Sequence, residues 1–243
     1  MDYSFLQCGE GALTVHLGDG IDPAINRRVT ALQGAIGSAG LRGITDLIPA
    51  YADLTVCYDC TVISAKALQR QLRRLLDSLS VAGQDRRRVF RLPVCYGGDY
   101  GPDLDFVCHH SGLSAQEVIE LHSAPDYLIY MLGFLPGFAY LGGLDPRLHT
   151  PRLDSPRTCI PAGSVGIGGA QTGVYPLASP GGWQLLGRTP VSVFDRQRQE
   201  PILYRAGNLV HFVPISPAEY EEIARAVAAG TYTVQVEEVP VCD

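Results

Sequence analysis

Between Gly133 and Pro190 the chain carries twelve glycines and eight prolines but no lysine and no glutamate. Punctuation that dense forbids a long helix, because proline removes a backbone donor and glycine costs conformational entropy. A flexible linker is excluded as well, since Phe134, Leu135, Phe138, Tyr140, Val165, Ile167, Val174, Tyr175, Trp183, Leu185 and Leu186 are threaded between the turn formers. Such a mixture predicts short buried strands joined by tight, fixed turns. Its only aspartates and arginines are Asp145, Arg147, Arg152, Asp154, Arg157 and Arg188, so the arginines are the groups most suited to meet a ligand or partner.

The whole chain has 243 residues, 46% hydrophobic and 18% charged, enough for one large domain or two small ones, and the pattern favours two. A formal charge of -6 argues against a protein built to grip nucleic acid, which needs a basic face. Tyr127 to Leu144 is uncharged and mostly apolar, but Pro136 and its glycines break any spanning helix, so a buried strand followed by a turn is expected rather than a membrane span. The first residues lack the basic start and apolar core of a secretory leader, which makes the cytoplasm the expected location. Seven cysteines are an odd and scattered set, which favours reduced thiols. Cys57 and Cys60 have metal or redox spacing, yet no second pair follows, and no metal site is expected.

Along the chain, Ala12 to Leu17 alternates like a strand. Asp22-Pro23 caps a helix whose apolar stripe is Ile25, Val29, Leu32 and Ile36, ending near Gly37 or Gly40. Ile44 to Pro49 and Leu54 to Tyr58 read as strands, and Ser64 caps a second helix with Leu68, Leu72, Leu75 and Leu79 inward and Arg70, Arg73 and Arg74 toward water. The order β-α-β-β-α is most of a ferredoxin-like α/β sandwich. Around Gln84-Asp85-Arg86-Arg87-Arg88 the apolar pattern lapses, which places a solvated hinge and a domain boundary there. Beyond it come a strand from Val89 to Val94, a short helix after Gly101-Pro102-Asp103, and a capping box at Ser114 opening a helix that ends near His122. A strand over Asn208 to Pro214 and a second capping box, at Ser216 with Pro217, follow the glycine- and proline-rich stretch. The last strand, Tyr232 to Val239, is expected to return to the first sheet. The division is then residues 1–86 plus about 231–243 in the first domain and 87–230 in the second.

Several chemistries are excluded by missing motifs. Lys66 is the sole lysine and stands in no phosphate-binding loop. Gly166-Ile167-Gly168-Gly169-Ala170-Gln171 begins like a dinucleotide fingerprint, but its last glycine is replaced and no helical pattern follows. Ala162-Gly163-Ser164-Val165-Gly166 approaches a nucleophile elbow without the strand-turn-helix context, so Ser164 reads first as a turn serine. His109 and His110 are adjacent and point to different parts of a helix surface, which does not make a metal pair.

The run Gly133-Phe134-Leu135-Pro136-Gly137-Phe138-Ala139-Tyr140-Leu141, continued by Pro151-Arg152, Pro156-Arg157, Ile160 to Ile167, Gln171 to Pro176, Ser179 to Trp183 and Gly187 to Pro190, resembles the allophanate hydrolase subunit 1 family. That family includes the B subunit of prokaryotic 5-oxoprolinase and the histidine-kinase inhibitor KipI. The resemblance covers most of the chain and implies an α+β architecture: a ferredoxin-like N-terminal domain followed by a cyclophilin-like β-barrel. It also implies a component of an ATP-dependent complex, with Mg-ATP as cofactor and a C subunit and an A subunit as partners, that opens 5-oxoproline to L-glutamate. Phosphorylating the lactam oxygen makes the stabilised amide hydrolysable, and that step calls for cationic, bidentate groups. Arg152, Arg157 and Arg188 are then the candidate anion holders, Arg157 and Arg188 with catalytic roles. His122 is the candidate proton carrier, Ser164, Gln171 and Tyr175 are candidate hydrogen-bonding groups, and Trp183, Phe138 and Tyr140 form the candidate apolar wall. Each has a structural alternative: Arg152 and Arg157 paired with Asp145 or Asp154, Trp183 as a core anchor, His122 at a helix end. Two other functions within the family's range are a kinase-inhibiting binding module, whose groove receives a partner segment, and a role in urea or allophanate metabolism.

Overall fold

A computed structural model describes residues 3–79 and 86–240, which fall into two compact units divided after Asp85. In the first unit, β1 (Ser4–Cys8) and β2 (Ala12–His16) form a hairpin, followed by α1 (Pro23–Ala39), β3 (Ile44–Pro49), β4 (Asp53–Tyr58) and α2 (Ala65–Asp77). The sheet is antiparallel throughout, in the order β1-β2-β4-β3. The Asp22 side chain accepts from the Ala24 amide at 2.6 Å and Pro23 takes the first turn, while Gly40 closes α1 in the left-handed conformation. Val29, Leu32 and Ile36 from α1 and Leu68, Leu72 and Leu76 from α2 are buried against Leu13, Val15, Leu54 and Val56 of the sheet. This is the split β-α-β plan of a ferredoxin-like sheet.

The second unit begins with β5 (Arg86–Tyr96), α3 (Leu104–Ser111), α4 (Ala115–Ser123), β6 (Asp126–Leu132) and β7 (Ala139–Gly142). The glycine- and proline-rich stretch then folds into β8 (Arg157–Ile160), β9 (Ser164–Gly168), β10 (Gln171–Val174), β11 (Ser179–Gly181) and β12 (Gln184–Arg188). β13 (Leu209–Ile215), α5 (Pro217–Ala228) and β14 (Gln235–Pro240) complete it. The strands run β12-β9-β10-β7-β6-β13-β5 and close through β12 on β5, giving a seven-stranded barrel. Closure leaves these strands no free edge except along the N-terminal part of β5, which suits elements only four to seven residues long in most cases. Phe90, Leu92, Val94, Val165, Ile167, Val174, Leu186 and Phe212 belong to the main core. Tyr127 to Leu144 is β6, a turn and β7, and no helix among the described residues is long and apolar enough to cross a membrane.

Two sequence expectations are corrected. Arg86, Arg87 and Arg88 are not a hinge but the first residues of β5, in register with Pro240, Val239 and Glu238; Gln84 and Asp85 of the same run lie outside the described residues. The C-terminal strand does not return to the first sheet. β14 pairs antiparallel with β5, fastened by a bidentate Arg91 to Glu237 contact at 2.7 and 2.9 Å. The reason is an occupied edge. The β1 hairpin already covers the free side of β2, where a returning strand would have had to pair, and the N-terminal part of β5 projects beyond β12 and offers its own open edge.

Candidate functional site

Neighbouring residues at the end of β10 and along β12 face opposite ways: Val174 and Leu186 enter the main core, while Tyr175, just past β10, and Leu185 join a second cluster with Phe138, Ile160 and Trp183. Glycine makes the seat for the indole. A Cβ at Gly168 would lie 2.2 Å from Trp183 Nε1, and one at Gly173 would lie 3.2 Å from its Cζ3, so the ring lies on strand surface that carries no side chain. Phe138 meets Tyr140, Tyr175 and Trp183 edge-on at ring separations of 5.2, 5.4 and 5.5 Å. The Phe138, Tyr175 and Trp183 side chains are almost wholly buried, while Tyr140 is half-buried.

The arginines lie on this platform. The exposed Arg152 guanidinium is 5.8 Å from the Trp183 ring centroid and donates to Gln171 Oε1 at 3.4 Å. Arg157, carried by the β8–β11 ribbon, donates to the Trp183 carbonyl at 3.3 Å and to Asp103 Oδ1 at 2.6 Å. The other Asp103 oxygen accepts from the Leu185 amide at 2.6 Å. Burial raises the Tyr175 phenol above its ordinary range, opposed by the nearby positive charges of Arg152 and Arg157 and by a backbone bond from Trp183. Arg157 therefore pairs with Asp103, not with Asp145 or Asp154; Asp145 holds Arg147 at 2.7 Å.

Seven of the predicted residues thus come together: Arg152, Arg157, Gln171, Tyr175, Trp183, Phe138 and Tyr140. Ser164 and Arg188 are outside the aromatic cluster, facing each other across β9 and β12 near Tyr220 of α5, with the Ser164 carbonyl accepting from the Tyr175 amide at 2.8 Å. His122 belongs to neither place. It is fully buried, stacked on Phe212 at 4.9 Å, with Nδ1 2.8 Å from the Tyr96 hydroxyl and Nε2 2.7 Å from Thr172 Oγ1. The Thr172 hydroxyl proton goes to the Gly166 carbonyl, so Thr172 accepts from His122 Nε2–H, and Nδ1 is left to accept from Tyr96. Burial lowers the imidazole pKa to about 3. This corrects the expectation of a proton carrier: a neutral ring with both nitrogens engaged in the core ties α4 to the barrel wall.

Asp103 and Tyr220 were not anticipated. Asp103 lies 54 positions from its ion-pair partner, a separation no local pattern reports. The burial of His122 was detectable, since it falls four residues after Val118 on the inward stripe of α4.

Residues 3–204 match the family described as carboxyltransferase domain, subdomain C and D. The chain is 42% identical over 228 residues to the 5-oxoprolinase B subunit of Bacillus subtilis, spanning 90% of this chain and 95% of that protein. It is 45% identical over 207 residues to the 5-oxoprolinase B subunit of Escherichia coli O157:H7, spanning 85% and 93%. The crystal structure of TTHA0988 superposes with a TM-score of 0.74 at 40% identity, covering 84% of this chain but only 40% of that longer one. The Kluyveromyces lactis urea carboxylase shares the fold, with a TM-score of 0.83 at 23% identity over 98% of this chain and 24% of that one. The barrel, its aromatic platform and these matches together make the chain a member of the carboxyltransferase subdomain C and D family, alongside the 5-oxoprolinase B subunits.

Proposed function

We propose that this chain is one component of a cytoplasmic, ATP-dependent 5-oxoprolinase complex, active with a C subunit and an A subunit, and that its barrel holds the lactam while the ring is opened to L-glutamate. The observation that carries the reading is the exposed Arg152 over Trp183, beside Gln171 and next to the Arg157 and Tyr175 pair. A flat ring bearing an amide and a carboxylate suits that arrangement. The aromatic wall receives the ring face, Gln171 and Tyr175 offer hydrogen bonds to the amide, and a guanidinium binds the carboxylate or the oxyanion that develops on the amide oxygen. Because Arg157 is already held by Asp103, Arg152 is the freer arginine of the two, and it takes the ligand's charge while Arg157 keeps the wall in place.

Among the described residues no three His, Cys, Asp or Glu side chains converge to hold an ion. In this reading Mg-ATP belongs to the complex. The test is 5-oxoproline-dependent ATP hydrolysis by the chain alone and by the chain reconstituted with its C and A partners. The isolated chain is expected to be inactive and the reconstituted complex active, with Arg152→Ala raising KM about tenfold or more, the value of one charged hydrogen bond. Lactam opening by the chain alone, or full activity of the Arg152→Ala complex, would refute this assignment. Tight binding to a histidine-kinase dimerisation domain without turnover in any reconstitution would point to a regulatory module instead.

A further inference from the structure

Ser164 and Arg188 stand directly opposite each other on β9 and β12, and Cys95 of β5 stands opposite Arg188 on its other side. Directly paired residues project from the same face about 5 Å apart. Ser164 is fully buried, and its Oγ has no hydrogen-bond partner; the Arg188 Nε, also closed off from solvent, has none either. A buried donor left unmade costs more than a hydrogen bond normally returns, so two such groups side by side call for a common acceptor. No carboxylate among the described residues lies within ion-pair distance of Arg188; its guanidinium bonds the neutral Tyr220 phenol instead. Their chain neighbours Gly163 and Thr189, with Ser192, Tyr220 and Ala224, line a cavity of about 190 Å³; Ser164 and Arg188 are not on its wall, and Tyr220 links it to Arg188. Gly163 lets the two backbone segments approach closely there: its φ is +81°, and a Cβ would lie 2.4 Å from the Thr189 carbonyl oxygen and 3.4 Å from Arg188 Cγ. The volume lies below the roughly 300 Å³ at which drug-sized pockets begin, and so fits a head group rather than a whole nucleotide.

We propose that Arg188 and Ser164 form an oxyanion subsite beneath α5, distinct from the Arg152 and Trp183 contact, which takes the carboxylate or phosphoryl head of a small molecule by displacing the Tyr220 phenol. The subsite does not depend on the reaction proposed above. It is tested by thermal unfolding of the full chain with inorganic phosphate and, separately, with acetate as probes, neither of which has the ring that the platform takes. A rise in Tm with phosphate alone identifies a phosphoryl source, with acetate alone a carboxylate source, and with both a general oxyanion site; each supports the subsite where Arg188→Gln removes the rise and Arg152→Ala does not. Arg188→Gln should abolish the rise and Ser164→Ala should weaken binding about tenfold. Tyr220→Phe should tighten binding, because the competing hydroxyl is gone. Ser164→Ala should also raise the Tm of the free protein by removing an unpaired buried hydroxyl, and this keeps the test decisive if Arg188→Gln fails to fold. No rise with either probe, a rise undiminished in the variants, or a lower free Tm for Ser164→Ala would overturn the subsite. The first of these with an active reconstituted complex would leave the proposed reaction standing.

Discussion

The Asp103 carboxylate joins the Arg157 guanidinium at 2.6 Å with one oxygen and the Leu185 amide at 2.6 Å with the other. One side chain at the head of α3 thereby fixes both the ribbon that carries Arg157 and the strand that follows Trp183. Asp103→Asn keeps an acceptor for Leu185 but loses the charge. With Arg157 about 30% exposed, the loss should fall toward the lower end for a charged hydrogen bond, about 2 kcal/mol. Urea unfolding of Asp103→Asn, Arg157→Ala and the double variant measures it, and strictly additive losses would show that the two residues do not act together.

Trp183 is the chain's single tryptophan, so intrinsic fluorescence reports directly on the platform. Gly168→Ala places a methyl group 2.2 Å from Nε1 of the indole, inside contact distance, and it should shift the emission to the red and cost about 1–3 kcal/mol through overpacking. Trp183→Ala should cost about 3–5 kcal/mol, the value of a buried aromatic ring. An unshifted spectrum in Gly168→Ala would mean that the indole does not rest on that glycine.

His122 makes stability depend on pH. Its folded pKa of about 3 lies below the unfolded value near 6.5, so between them the unfolded chain binds the extra proton and stability falls as the pH falls. The slope from this one group approaches about 1.4 kcal/mol per pH unit. Urea midpoints measured from pH 7 to pH 4 for the wild type and His122→Gln should show a shallower loss in the variant. Equal slopes would mean that the imidazole is not held neutral.

Ending the chain at Gly230 removes β14 and the Glu237 partner of Arg91. The amides of β5 that face β14 should lose hydrogen-exchange protection and the open edge should promote association, while the first sheet keeps its protection. Lost protection in β2 and β4 instead would put the last strand back on the first sheet.

Local patterns were the most legible part of this chain. Asp22, Ser64, Ser114 and Ser216 each cap the helix that follows, because a cap is a bond within three residues. The β-α-β-β-α order was readable from hydrophobic period, though it missed β1; the α1 stripe held at Val29, Leu32 and Ile36, while α2 buries Leu76 and leaves Leu75 and Leu79 partly covered. Illegible were the partners of edges: the place of β14 depended on β1 already covering β2, and so on two strands separated by almost the whole chain.

The candidate site divides along the same line. The glycines, prolines, aromatics and arginines of residues 133–190 determined by themselves that this stretch would be rigid, strand-rich and cationic at a few points, since turn formation and burial act on neighbouring residues. Only the tertiary structure decided which arginine lies exposed over the indole and which is held by a carboxylate, that Ser164 and Arg188 face each other beside Tyr175, and that His122 is a neutral core group. Those outcomes rest on barrel closure, where strand register sets which side chains meet. Register is a property of pairs of strands, and no single segment encodes it.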